Sequence, residues 1–142
     1  RMAPEINKYK IYISALTPLN LDNHNRISSS MVRLIRRMVR DYNFRGNSAD
    51  KTLSTWHKVR AGEEIYVFPY QDLADIALDS SLIYELSVLK KYAYELFEKY
   101  EYSKDNLKMI KELKAFLKYF VEIENEEYIP VNSILREMIG RD

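Results

Sequence analysis

The run RLIRRMVRDYNFRG, from Arg33 to Gly46, is where residue type and spacing point to chemistry. On a helix advancing about 100° per residue, Arg33, Arg36, Arg37 and Arg40 fall within about 100° of one another. Leu34, Ile35, Met38 and Val39 take the opposite side. The polar face is therefore nearly pure arginine, and four of its neighbour pairs are like-charged. At roughly 0.2–0.5 kcal/mol each, such a helix tolerates on the order of 1–2 kcal/mol of repulsion. The planar guanidinium fork suits bidentate recognition of phosphate or carboxylate oxygens better than a lysine does. Two readings follow. The face binds an anion, or it forms salt bridges to acidic residues later in the chain, with Asp41 as a local partner.

Charge is unevenly divided along the 142 residues. Residues 1–60 hold 12 Lys/Arg and 4 Asp/Glu, a net of +8, whereas residues 61–142 hold 10 and 17, a net of −7. A basic half implies an anionic partner or the acidic half itself. Other candidates carry less. His24 and His57 have no ligand-spaced neighbours, so no metal site is expected. Trp56 and Tyr66 read as core packing, with base stacking the minority reading. Tyr84, Tyr92, Tyr94, Tyr100 and Tyr102 are interleaved with Glu85, Glu95, Glu98 and Glu101, which repel anions, so the stretch reads as amphipathic packing and not as a nucleic-acid platform. The run from Lys104 to Lys118 reads as a solvated helix face.

The elements that must position the arginines follow from patterning. KYKIYIS (8–14) alternates as a short strand, and 15–30 is loop. Ser28 to Ser30 offer an N-cap for a helix to about Phe44, closed by Gly46. Asn47 or Ser48 caps a second helix to about Arg60, followed by a partly irregular stretch over 61–73. Ala74 to Leu78 reads as a short buried strand. Asp79 to Ser81 cap a third helix that faces inward with Leu82, Leu86, Leu89, Ala93 and Leu96. Ser103 caps a fourth with Leu107, Ile110, Leu113, Phe116, Leu117 and Phe120. Ile129–Pro130 opens a short fifth, with Ile134, Leu135 and Met138 inward and Gly140 at its end. The expected fold is mainly α with two short strands in a single domain. Residues 1–27 are strand and loop, 28–60 the arginine-rich helices, and 61–142 a strand and a C-terminal helical part.

Composition narrows the function. The chain is 46% apolar and 30% charged, as in a globular domain. There is no membrane-spanning run, no signal peptide and no cysteine, and the expected location is cytoplasmic. Three glycines exclude a Gly-rich dinucleotide turn and a Walker A loop. Position 1 is Arg, so the chain is expected to be cut from a longer protein. Two strands make no self-sufficient sheet, and their exposed edges would favour self-association into homo-oligomers.

The run RLIRRMVRDYNFRGNS resembles the lid region of uridine kinases in the P-loop nucleoside kinase and phosphoribulokinase superfamily. YISALTPLNLDNHNRI, GEEIYVFPYQDLADIALDSSLIYELSVLKKYA and YIPVNSILREMIG are similar to the C-terminal segment of one bacterial subgroup, whose N-terminal region resembles part of threonyl-tRNA synthetase. Asn47 stands where many uridine kinases have Arg after the Arg-Gly pair, and Met31 where many have Asp. The resemblance implies the C-terminal portion of an α/β P-loop kinase fold. It implies ATP-dependent phosphorylation of a nucleoside 5′-hydroxyl, with uridine or a related nucleoside as partner and magnesium required. Arg37, Arg40 and Arg45 match the lid arginines that grip phosphates, with Arg37 and Arg40 as catalytic candidates. Arg33 and Arg36 match the motif as further phosphate-binding candidates. The phosphate cradle itself cannot be assembled from this sequence. The rival expectation is a non-enzymatic helical module that binds nucleic acid or a protein through the arginine face.

Overall fold

Helix α1 (Ser29–Arg45) sits at the centre of the structure because three sides of it are covered. It packs against α2 (Ala49–Tyr66), α3 (Glu85–Lys99) and α5 (Arg136–Ile139), while α4 (Lys104–Leu117) closes over α2 and α3. The computed structural model describes residues 8–16 and 19–140; Arg1, part of the 15–30 loop, and the last two residues lie outside them. The architecture is mainly helical, with two short strands, β1 (Ile11–Ser14) and β2 (Ile76–Asp79), paired in parallel.

The core is the apolar side of α1 and what it meets. Val32, Leu34, Ile35, Met38 and Val39 are all buried, against Leu53 and Trp56 of α2, Leu86, Leu89, Ala93 and Leu96 of α3, and Leu135 and Met138 near α5. Each aliphatic side chain so buried contributes roughly 1.5–3 kcal/mol. Gly46 ends α1 at φ 62°, its N–H donating to the Asp41 carbonyl, as a helix-terminating glycine should. Ser28 holds the N-cap position, but its hydroxyl makes no cap bond; its carbonyl accepts from Met31 and Val32 instead.

Several boundaries differ from the sequence expectation. Helix α2 runs to Tyr66 and carries Gly62 inside it, with Arg60 pairing forward to Glu63 and Glu64 across the glycine. A 3₁₀ segment over Phe68–Leu73 then leads to β2. Helix α3 begins at Glu85, not just after Ser81. Asp79 turns its carboxylate to the N–H groups of Leu16 and Ser81, and Glu85 accepts from Leu82, so residues 80–82 are irregular and lead into a turn at Ile83 and Tyr84. Ser103 caps α4 as expected, but Leu107 is 42% exposed and lies off the apolar stripe. The fifth helix shrinks to one turn, since residues 130–135 close i to i+3 bonds such as Ser133 to Pro130 and Arg136 to Ser133.

The sheet departs most from expectation. Patterning predicts a buried strand over Ala74–Leu78; β2 instead covers Ile76–Asp79 and is exposed at every position. On β1 the inward residue is Tyr12, while Ile11 and Ile13, and Tyr9 just before the strand, are exposed. The register pairs Ile11 with Ile76 and Ile13 with Leu78, so four aliphatic side chains share one uncovered face. Two strands supply no second layer on that side, although parallel sheets are normally covered on both.

Candidate anion-binding site

The arginine row of α1 lines a cleft of about 240 Å³ between α1, α2 and the α5 turn. Arg33, Arg36, Arg37 and Arg40 come from α1; Trp56, Val59 and Glu63 from α2; Ile134, Glu137 and Met138 from the C-terminal turns. Four guanidiniums thus face two carboxylates over an apolar floor. Arg45, the fifth candidate, lies outside the cleft, half exposed, with Nη1 donating to Asp41 at 3.2 Å.

The four arginines are not equivalent. Arg33 pairs with Glu63, and its guanidinium lies 5.6 Å from the Phe68 ring, which also receives Arg60 at 5.3 Å. Burial, with Arg60 nearby, pushes the Arg33 pKa below its ordinary value. Arg36 is buried and committed. Its Nε donates to Glu85 at 3.0 Å, Nη2 to Glu85 and to the Ser80 carbonyl, and Nη1 to the Ser80 hydroxyl. Burial pushes the Glu85 carboxyl up, against the opposing pull of the Arg36 charge and hydrogen bond.

Arg37 and Arg40 share Asp41, a carboxylate only 2% exposed. Arg37 Nε lies 3.3 Å from one of its oxygens without the alignment of a hydrogen bond, and Arg40 Nε, at 3.8 Å, is too far to make one. Both Nε–H groups are buried without a hydrogen bond among the described residues, an uncommon state for a donor. Arg40 Nη1 donates to Glu137 at 3.3 Å. Arg37 makes no other ion pair among the described residues.

The structure therefore brings Arg33, Arg36, Arg37 and Arg40 together, leaves Arg45 at the rim, and gives each of the five a carboxylate. Patterning did not identify the acidic residues of the site. Asp41 was visible as a neighbour, but Glu63, Glu85 and Glu137 reach α1 from other elements and no local spacing marks them. Trp56 is buried, as the packing reading has it, and it also lines the cleft; Tyr66 is 74% exposed and is not core. His24 lies in a turn organised by Asp22, which accepts the N–H groups of His24 and Asn25. A second cluster the pattern did not reveal joins Tyr42, Lys99 and Tyr100. The Lys99 ammonium donates to the Tyr42 hydroxyl and, with Tyr100, holds that phenol below its usual range. Among the described residues no group of three His, Asp or Glu could hold a metal ion, and no helix is long and apolar enough to cross a membrane.

No family model, curated protein or solved structure matches the chain.

Proposed function

We propose that this chain is the lid and C-terminal part of an ATP-dependent nucleoside kinase, and that its cleft grips the phosphates of the nucleotide. The observation that carries this reading is the convergence of Arg37 and Arg40 in one cleft, each with a buried Nε–H that lacks a hydrogen bond. Two blocks that carry the family resemblance meet there: α1 supplies the arginines, and the C-terminal turns supply Ile134, Glu137 and Met138.

Phosphoryl transfer spreads negative charge over the oxygens of the moving group, and positioned cations stabilise it. In this reading Arg37 and Arg40 are the catalytic cations. Arg33 flanks them, and Arg36 holds the helix in place through Glu85 and Ser80. Arg45 orders Asp41 behind the row. The chain's role is to grip phosphate. Among the described residues no group of three or more His, Asp or Glu could hold a metal ion.

The rival reading, in which the face tracks nucleic acid or a protein, needs an open basic stripe. The side chains of Arg33, Arg36, Arg37 and Arg40 are only 18%, 11%, 32% and 25% exposed, and acidic residues flank them. A recessed site for a small anion fits better.

Hydrogen exchange over residues 28–47 tests the proposal, with inorganic tripolyphosphate compared to sodium chloride at equal ionic strength. Protection specific to tripolyphosphate, and lost in the Arg37→Ala/Arg40→Ala variant, supports it. Equal protection by both salts reduces the row to internal ion pairs. Protection by nucleic acid alone favours the rival.

A further inference from the structure

Glu137 and Glu63 both reach into the arginine cleft, but they are held very differently. Glu63 is 11% exposed and is pinned by Arg33 and Arg60, so it belongs to the wall. Glu137 is 58% exposed and has one partner among the described residues, Arg40, at 3.3 Å. An ion pair this accessible to water is weak.

The turn that carries Glu137 is anchored without it. Asn43 Nδ2 donates to the Met138 carbonyl at 2.8 Å, and Leu135 and Met138 are buried. Arg136 Nη2 donates to the carbonyls of Glu126 and Ile129 at 3.0 and 2.9 Å. The Glu137 side chain can therefore swing into solvent while its backbone stays in place.

We infer that Glu137 is a built-in competitor for the cleft, a carboxylate that occupies Arg40 until a polyphosphate displaces it. This inference rests on the phosphate-binding reading above. An entering phosphate oxygen takes the Arg40 donor that Glu137 holds, and it must also overcome the repulsion of a carboxylate at the site. Glu137 thereby sets the threshold of anion charge the cleft accepts. Weakly charged anions are excluded, and a polyphosphate, with several charges to offer Arg37 and Arg40 together, is admitted.

The test is a titration of the 142-residue chain with inorganic tripolyphosphate at fixed ionic strength, comparing wild type, Glu137→Gln and Glu64→Gln. Glu64 is the control, because it is 63% exposed, pairs with Arg60 at 3.6 Å and does not line the cleft. Removing one carboxylate about 4 Å from a bound anion in a watery setting is expected to tighten binding about 3–10-fold in Glu137→Gln, while Glu64→Gln changes it less than about 2-fold, as a screened and more distant charge should. Binding by Glu137→Gln where wild type shows none also supports the competitor. If wild type binds but Glu137→Gln gains nothing, or gains no more than Glu64→Gln, the competitor is overturned and the phosphate site stands. If no variant binds tripolyphosphate, the phosphate reading fails and the competitor fails with it. Thermal unfolding of each variant, expected to match wild type, confirms that the comparison is between folded chains.

Discussion

Arg36 and Glu85, separated by 49 residues in the chain, close a buried ion pair that fastens the middle of α1 to the first residue of α3. The same guanidinium holds the Ser80 carbonyl, and the same carboxylate accepts the Leu82 N–H, so the pair also shapes the turn out of β2. An arginine that looks like one of four equals on a helical wheel is thus the one that holds the other three in register.

That assignment predicts a stability effect. Arg36→Ala leaves Glu85 as an uncompensated buried charge and should cost about 3–5 kcal/mol, read from urea unfolding. Replacing both partners, as in Arg36→Met/Glu85→Leu, should restore most of the loss. A single mutant within about 1 kcal/mol of wild type would remove Arg36 from the scaffold.

Glu126 predicts a pH dependence. Burial pushes its carboxyl up. Bonds from Lys91 and Tyr92 and the charges of Lys91 and Arg136 outweigh this, and the net shift is below the ordinary 4.5. The unfolded chain therefore binds more protons than the folded one in the window below 4.5. The group's contribution is complete above that value and is lost as pH falls through its lower folded value. Glu126→Gln should cost more stability at neutral pH than in acid. An equal cost at both would contradict the shift.

Two glycines should respond oppositely to alanine. Gly46 sits at φ 62° with open space around it, so Gly46→Ala is opposed by backbone strain alone, about 1–2 kcal/mol. Gly62 lies inside α2 with nothing within 4 Å of an added Cβ, so Gly62→Ala should stabilise by roughly 0.5–1 kcal/mol. Thermal or urea unfolding of the two variants checks the opposite signs.

The functional reading predicts what the chain lacks as well as what it does. Incubated with ATP, magnesium and uridine, it should form no uridine monophosphate above blank, because its three glycines build no phosphate cradle. Steady production would overturn the reading of the chain as the lid and C-terminal part of a kinase.

Local signals in the sequence were enough to place α1 and its two faces. Leu34, Ile35, Met38 and Val39 mark the buried side, and the arginines the other, because helical periodicity is decided within four residues. The stop at Gly46 and the caps at Ser48 and Ser103 are legible for the same reason, since a cap bonds its own first turn. Patterning fails where a distant element decides. Ile11, Ile13, Ile76 and Leu78 have the composition of buried strands, yet they are exposed, because burial depends on a covering layer that residues along the strand do not encode. The division of labour among the arginines is likewise tertiary. Their spacing makes Arg36 and Arg40 look alike; what separates them is that Glu85 reaches Arg36 inside the core, while Glu137, 97 residues from Arg40, reaches it from the solvent side. Buried, the ion pair has no water competing for its charges and fixes the helix; exposed, it stays weak enough for another anion to replace.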